Sequence, residues 1–198
     1  MNQIKNNILI INGSLGGANG NTNVLIEKAC QYLGQNQINF EILHLEEYLK
    51  KNQNDLLFKI SWADGFIFTT GTYWDSWGSP MQIFLELITQ YEASEAFLYK
   101  PASVMVSMHS VGGKAVLSRL QGVLNTIGIS IPPMSGLVYA LTTHLAMAEN
   151  KEHSEFQEDF WSQDDIEIII HNLITAVRHQ QNFKSWPVDR KDPKRRWL

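Results

Sequence analysis

The chain has 198 residues, 44% of them hydrophobic, and a formal net charge of −4. That length and apolar content fit one α/β domain with a full core, and the acidic balance argues against a nucleic-acid partner. A lone cysteine, Cys30, excludes an internal disulfide framework and implies a reducing, cytoplasmic setting.

The first strong signal is Asn7–Ile11, an apolar run of the kind that forms a strand covered on both faces. It stops at Asn12-Gly13-Ser14, and a loop of glycines and small polar residues follows as far as Thr22. From Asn23 to Leu33 apolar residues return at helical spacing, at Val24, Leu25, Ala29, Cys30 and Leu33. Strand, glycine loop and helix in that order aim free backbone N–H groups at an anion on the helix N-terminus, with Ser14, Asn21 and Thr22 as additional donors. The loop matches none of the common phosphate or nucleophile signatures. Asn21-Thr22 follows Gly20 where a Walker loop needs Lys, the glycines fall outside a Gly-x-Gly-x-x-Gly pattern, and Asn12 replaces the glycine of a nucleophile elbow. A flexible turn with Asn21 or Thr22 as a plain N-cap is the simpler alternative.

Further strands are predicted at Asn39–His44, Gly65–Thr69 and Ala102–Met108, with a weaker one at Ile129–Ile131. Amphipathic helices are predicted at Gln53–Trp62, Pro80–Gln90, Val116–Thr126 and Asp164–His179. Ser79 is the expected N-cap of the second of these, with Pro80 at its first position. In the last, Ile166, Ile169, Ile170, Leu173, Ile174 and Val177 form a stripe suited to packing on a sheet. The stretch Gly128–Ala148 is interrupted by Pro132, Pro133, Ser135, Thr142, Thr143 and His144 and makes a poor membrane span. The domain is expected over residues 1–183, with residues 184–198 as a basic tail containing Trp186 and Trp197.

Alternating strands and helices imply an open parallel sheet, whose ligands sit at the carboxyl ends of the strands. Three loops should converge there. The second, Thr69–Gly78, carries Tyr73, Trp74 and Trp77; these suit a flat aromatic ligand, a partner subunit or contact with the protein itself. The third, Ser107–Lys114, offers His109 and the close-approach glycines Gly112 and Gly113. The sequence shows no metal-ligand spacing and no nucleophile–base pair, so a bound cofactor is expected to carry the chemistry.

These three segments resemble the flavodoxin-like NAD(P)H-dependent FMN reductases. Asn12-Gly13-Ser14 through Gly20-Asn21-Thr22, followed by Leu25 and Ala29, is similar to that family's phosphate loop, Thr72–Trp77 with Ser79–Glu86 to its second flavin loop and helix, and Lys100-Pro101-Ala102 through Gly112-Gly113 and on to Gly128 to its third. The resemblance implies an α/β flavodoxin-like fold, with five parallel strands in the order 2-1-3-4-5 and helices on both faces. It also implies FMN as cofactor, NADH or NADPH as donor, a homodimer, and a small acceptor such as a quinone, free flavin, azo or nitro compound. Carried over by position, the cofactor residues are Ser14, Gly20, Asn21, Thr22, Thr72, Tyr73, Trp74, Asp75, His109, Gly112 and Gly113. The chain departs from the family by lacking an arginine soon after Ser14 and by having Thr72 where a proline is usual. Phosphate affinity would then rest on amides, Ser14, Asn21 and Thr22. A flavodoxin-type electron carrier and a non-catalytic interaction module of the same fold are the alternatives.

Overall fold

A computed structural model describes residues 6–51, 54–149, 161–179 and 182–187. Five strands, β1 (Asn7–Asn12), β2 (Asn39–His44), β3 (Gly65–Gly71), β4 (Ala102–Met108) and β5 (Gly136–Ala140), form one parallel sheet in the order β2-β1-β3-β4-β5. The helices are α1 (Asn23–Gln35), α2 (Leu45–Tyr48), α3 (Leu56–Trp62), α4 (Ser79–Ile88), α5 (Gly113–Ile127), α6 (Leu141–Glu149) and α7 (Ile166–Arg178). Chain order reverses between β1 and β3, the point where open α/β sheets bind ligands.

The alternation of side chains along each strand divides the core in two. Leu9, Ile11, Phe66, Phe68, Val104 and Val106 pack with α3, α4 and α5 on one face. Ile8, Ile10, Ile67 and Met105 pack with α1 and α7 on the other, and the predicted stripe of α7 supplies Ile166, Ile169, Ile170, Leu173 and Ile174. Each large side chain buried here contributes about 1.5–3 kcal/mol. At the opposite, amino end, the Lys100 ammonium donates to the carbonyls of Ile60 and Ser61 and closes the C-terminus of α3.

The structure corrects several local expectations. The last strand is β5 at Gly136–Ala140, not Ile129–Ile131; there, only Ser130 makes an isolated bridge, to Pro101. Pro132 and Pro133 have no N–H to extend a ladder, so the chain turns at Met134 (φ +52°) before pairing with β4. Ser79 is the first residue of α4 rather than its cap; Gly78 takes the cap position and Ser79 makes no capping bond. Helices α2 and α6 were not expected. In the tail, Phe183 stacks on Tyr99 at 6.2 Å and Trp186 Nε1 donates to Glu92 at 3.0 Å, so this part rests on the body of the protein. Residues 188–198, with Trp197 and most of the basic charge, lie outside the described residues. Among the described residues no helix is long and apolar enough to cross a membrane.

Candidate functional site

A cleft of about 350 Å³ opens at the carboxyl ends of β1, β3, β4 and β5. Strand register builds its floor. Gly71 pairs with Ser107, and Ser107 with Tyr139, so three cleft residues lie in one row across the sheet. The β1–α1 loop forms one wall, through Ser14, Gly16, Gly20, Asn21 and Thr22. Thr72 and Tyr73 form a second, Met108 and His109 a third, and Leu141 and Thr142 of α6 a fourth.

The hydrogen-bonding state of the first wall is unusual. Among the described residues three buried serine hydroxyls lack a partner, those of Ser14, Ser103 and Ser135, and of these Ser14 alone lines the cleft. The Asn21 and Thr22 amides, at the start of α1, donate to no protein group among the described residues. Buried hydroxyls are normally satisfied, so an unpaired one facing a cleft marks a place for a ligand acceptor or donor. Thr22 holds the N-cap position of α1, but its hydroxyl bonds Ser107 Oγ (2.9 Å) across the cleft floor instead of capping the helix. The loop's shape is held from below by Asn12, which is fully buried. Its Nδ2 donates to the Gly17 carbonyl (2.9 Å), and its Oδ1 accepts from the Ser14 amide (3.1 Å). The loop also fits closely against α4, since a Cβ on Gly13 would lie 2.6 Å from the Met81 side chain.

The third-strand loop divides in two. Tyr73 belongs to the cleft, and its hydroxyl accepts from the Leu15 amide at 3.2 Å, tying the two loops together. Beyond it, Tyr73 and Ser76 exchange backbone bonds of 2.8 and 3.0 Å around Trp74 and Asp75, which have φ of +48° and +57°. Two left-handed residues at the tip make a type I′ turn, and its hand carries Trp74 outward until it is fully exposed. Asp75 lies against Gly112, where a Cβ would fall 2.1 Å from its Oδ1. Gly112 itself has φ +85° and opens α5, so a carboxylate beside it sits at a favourable helix N-terminus. Arg119 braces the turn by donating to the Asp75 carbonyl (3.0 Å) and Ser76 Oγ (3.2 Å), with its guanidinium 5.0 Å from the Trp77 ring centre.

The expected site residues therefore separate. Ser14, Gly20, Asn21, Thr22, Thr72, Tyr73 and His109 line the cleft, whereas Trp74, Asp75, Gly112 and Gly113 do not. The turn turns the first two away, and Gly113 is packed beneath, where a Cβ would lie 2.2 Å from Val138. Ser107, Tyr139, Leu141 and Thr142 are cleft residues that sequence reasoning missed. Displaced pKa values fall on other groups. Burial lowers Lys100 to about 8 and raises Cys30 to about 11, and burial with a hydrogen bond to Asp55 raises Tyr48. None of these three lies on the cleft wall.

Known structures share this architecture. The structure of RosB with bound 8-demethyl-8-formylriboflavin-5′-phosphate aligns with a TM-score of 0.67 at 15% identity, covering 98% of this chain and 95% of that one. An oxidoreductase from Corynebacterium diphtheriae aligns with a TM-score of 0.65 at 14% identity, over 89% of this chain and 99% of that one. FerB, a flavoenzyme NAD(P)H:(acceptor) oxidoreductase from Paracoccus denitrificans, gives 0.61 at 19% identity, over 86% and 98%. At such identities the likeness shows the fold alone. No curated protein matches the sequence. The model of one family, NADPH-dependent FMN reductase, matches residues 6–143 and so takes in the sheet through β5 and every wall of the cleft. The chain belongs to the NADPH-dependent FMN reductase family, as a flavin oxidoreductase with FMN as cofactor and NAD(P)H as electron donor.

Proposed function

We propose that the cleft holds FMN with its phosphate on the Gly13–Thr22 loop and its ring beside Thr72, Tyr73 and the Ser107–His109 segment. The observation that carries this reading is the buried, unpartnered Ser14 hydroxyl next to two amides that make no internal bond. A dianionic phosphate monoester supplies the acceptors that all three lack. The loop contains no lysine or arginine, so the phosphate would be held by neutral donors and the dipole of α1. When bound, FMN supplies the hydride and electron chemistry, and the protein's part is to place and enclose it. Tyr73 is kept in position by the Leu15 amide, and Ser107 by Thr22. Tyr139 and Leu141 line the side toward β5.

The acceptor is a small molecule, of the quinone, free-flavin, azo or nitro class, reaching the cleft from its open mouth. Exposed apolar side chains stand on the surrounding loops and α6: Leu15, Val111, Leu141 and Leu145. They suit a flat, weakly polar acceptor over a charged one. Trp74, at 102% relative exposure, is expected to be covered by a second copy in a cytoplasmic homodimer. Sedimentation of the native chain should give a dimer mass, and a monomer would overturn that part.

The test of the cleft is an FMN titration. Ser14→Ala should weaken binding by about 1.5–3 kcal/mol, the range for hydrogen bonds to charged groups. Unchanged affinity would remove the phosphate from this loop. NADH or NADPH added without oxygen should then bleach the bound flavin, whereas a flavodoxin-type carrier would bleach slowly or not at all.

A further inference from the structure

We infer that His44, which does not line the cleft, sets the shape of the phosphate loop through Asn12, and that FMN binding weakens when the His44 imidazole takes up a proton. The inference rests on the cleft reading above. A carboxamide has two N–H donors and two lone pairs, and those of Asn12 are all engaged. Nδ2 donates to the Gly17 carbonyl (2.9 Å) and to His44 Nδ1 (3.0 Å); Oδ1 accepts from the Ser14 amide (3.1 Å) and from Thr69 Oγ1 (3.4 Å).

The orientation of that amide is not free. The Ser14 N–H can only donate and the Gly17 carbonyl can only accept, so Oδ1 must face the first and Nδ2 the second. The remaining Nδ2 hydrogen then points at His44 Nδ1, which must offer a lone pair. His44 is thus neutral in this arrangement, with its proton on Nε2. Protonation would set N–H against N–H. Asn12 is fully buried and cannot turn over without opposing Oδ1 to the Gly17 carbonyl and Nδ2 to the Ser14 amide. The Asn12–His44 bond must break, which leaves a buried Nδ2 hydrogen unpaired and frees the Asn12 amide to shift against the Gly17 carbonyl and Ser14 amide that it holds. Ser14 and Gly17 are also joined by a 3.3 Å backbone bond, so a shift at Gly17 reaches the unpaired Ser14 hydroxyl in the cleft wall.

His44 is half-buried at the carboxyl end of the edge strand β2, within reach of solvent protons. Among the described residues no carboxylate bonds its ring, and the charged groups of the neighbouring elements have partners of their own. β1 and the Gly13–Thr22 loop have no charged residue. On α2, Glu46 lies against Gly17 but pairs with Lys50, and Glu47 pairs with Lys51. On β2, Glu41 pairs with Lys59; on α1, Glu27 accepts from Asn23 and Lys28 pairs with Asp164; on α4, Glu86 accepts from Gln82.

The experiment compares FMN titrations of wild type, His44→Asn and His44→Phe at about pH 7.5 and about pH 5.5, on either side of the usual imidazole range. His44→Asn places a carboxamide oxygen, an acceptor that does not titrate, near the position of Nδ1. It should match wild type at the higher pH, while His44→Phe binds up to about tenfold more weakly there through loss of one hydrogen bond. FMN's own phosphate also protonates near pH 6, which affects all three proteins alike. In acid, wild type should therefore lose up to about tenfold more affinity than His44→Asn, the equivalent of that one bond. Superimposable pH curves for these two would overturn the inference. A second arm needs no cofactor. In nuclear magnetic resonance spectra of the ¹⁵N-labelled chain, the Asn12 side-chain amide and the Ser14 and Gly17 backbone amides should shift together with the His44 ring as it titrates. If the ring titrates and those signals stay still, the coupling is absent. If wild type binds no FMN at the higher pH, the cleft reading fails, and the spectra still decide whether His44 controls the loop.

Discussion

The β1–α1 loop and the Tyr73–Trp77 turn stand at the same end of the same sheet, and sequence reading gave them the same task. They differ in what they do with their polar groups. The first leaves a buried hydroxyl and two helix-start amides unused. The second engages its own: Tyr73 and Ser76 bond each other, Arg119 takes the Asp75 carbonyl and the Ser76 hydroxyl, and Trp77 Nε1 donates to Gln82 at 2.9 Å. An aromatic-rich loop looks like a ligand loop by composition. Unused hydrogen-bonding capacity inside a cleft is the sharper criterion, because a folded protein seldom leaves it unused without a ligand to complete it.

That contrast can be tested by breaking each side. The largest effect is expected from Asn12→Leu, which strips the loop's support and leaves the buried Ser14 amide and Thr69 hydroxyl without the acceptor they share. At about 1–3 kcal/mol for each such group, denaturant unfolding should show a loss of roughly 3 kcal/mol or more, with FMN binding abolished. Ser14→Ala comes next and should separate the two properties. Its binding loss has no counterpart in the stability of the cofactor-free protein, which should hold or rise, since an unsatisfied hydroxyl is removed. Arg119→Ala should do the reverse, and more mildly. It loses two hydrogen bonds and a cation–π contact, about 1–2 kcal/mol of stability, while the FMN dissociation constant stays within about twofold. If Arg119→Ala weakened FMN binding as much as Ser14→Ala, the turn would belong to the ligand site after all.

The fold was legible because its determinants are local and strong. The apolar runs of β1, β3 and β4, the glycine loop and the stripe of α7 each identify themselves within a few residues. What was missed depended on tertiary context. Ile129–Ile131 reads as a weak strand, yet the prolines after it end the pairing and the ladder resumes only at Gly136. Helix α6, Leu-Thr-Thr-His-Leu-Ala-Met-Ala-Glu, has no clear apolar face to signal it. These two errors together hid Tyr139, Leu141 and Thr142, because a wall cannot be assigned to a strand and helix not yet placed. Asp75 follows from the family resemblance and Gly112 from the glycines of its loop, and only the three-dimensional arrangement shows that they meet each other.

All seven residues of β3 are buried, and the strand is paired on both sides, to β1 and to β4. Such a strand cannot shift by an ångström without opening packed layers above and below it. Gly71, its last residue, pairs with Ser107 of β4 in the cleft floor, so that floor is stiff. Any adjustment of the cleft to an occupant must then fall on the loop tips and not on the sheet.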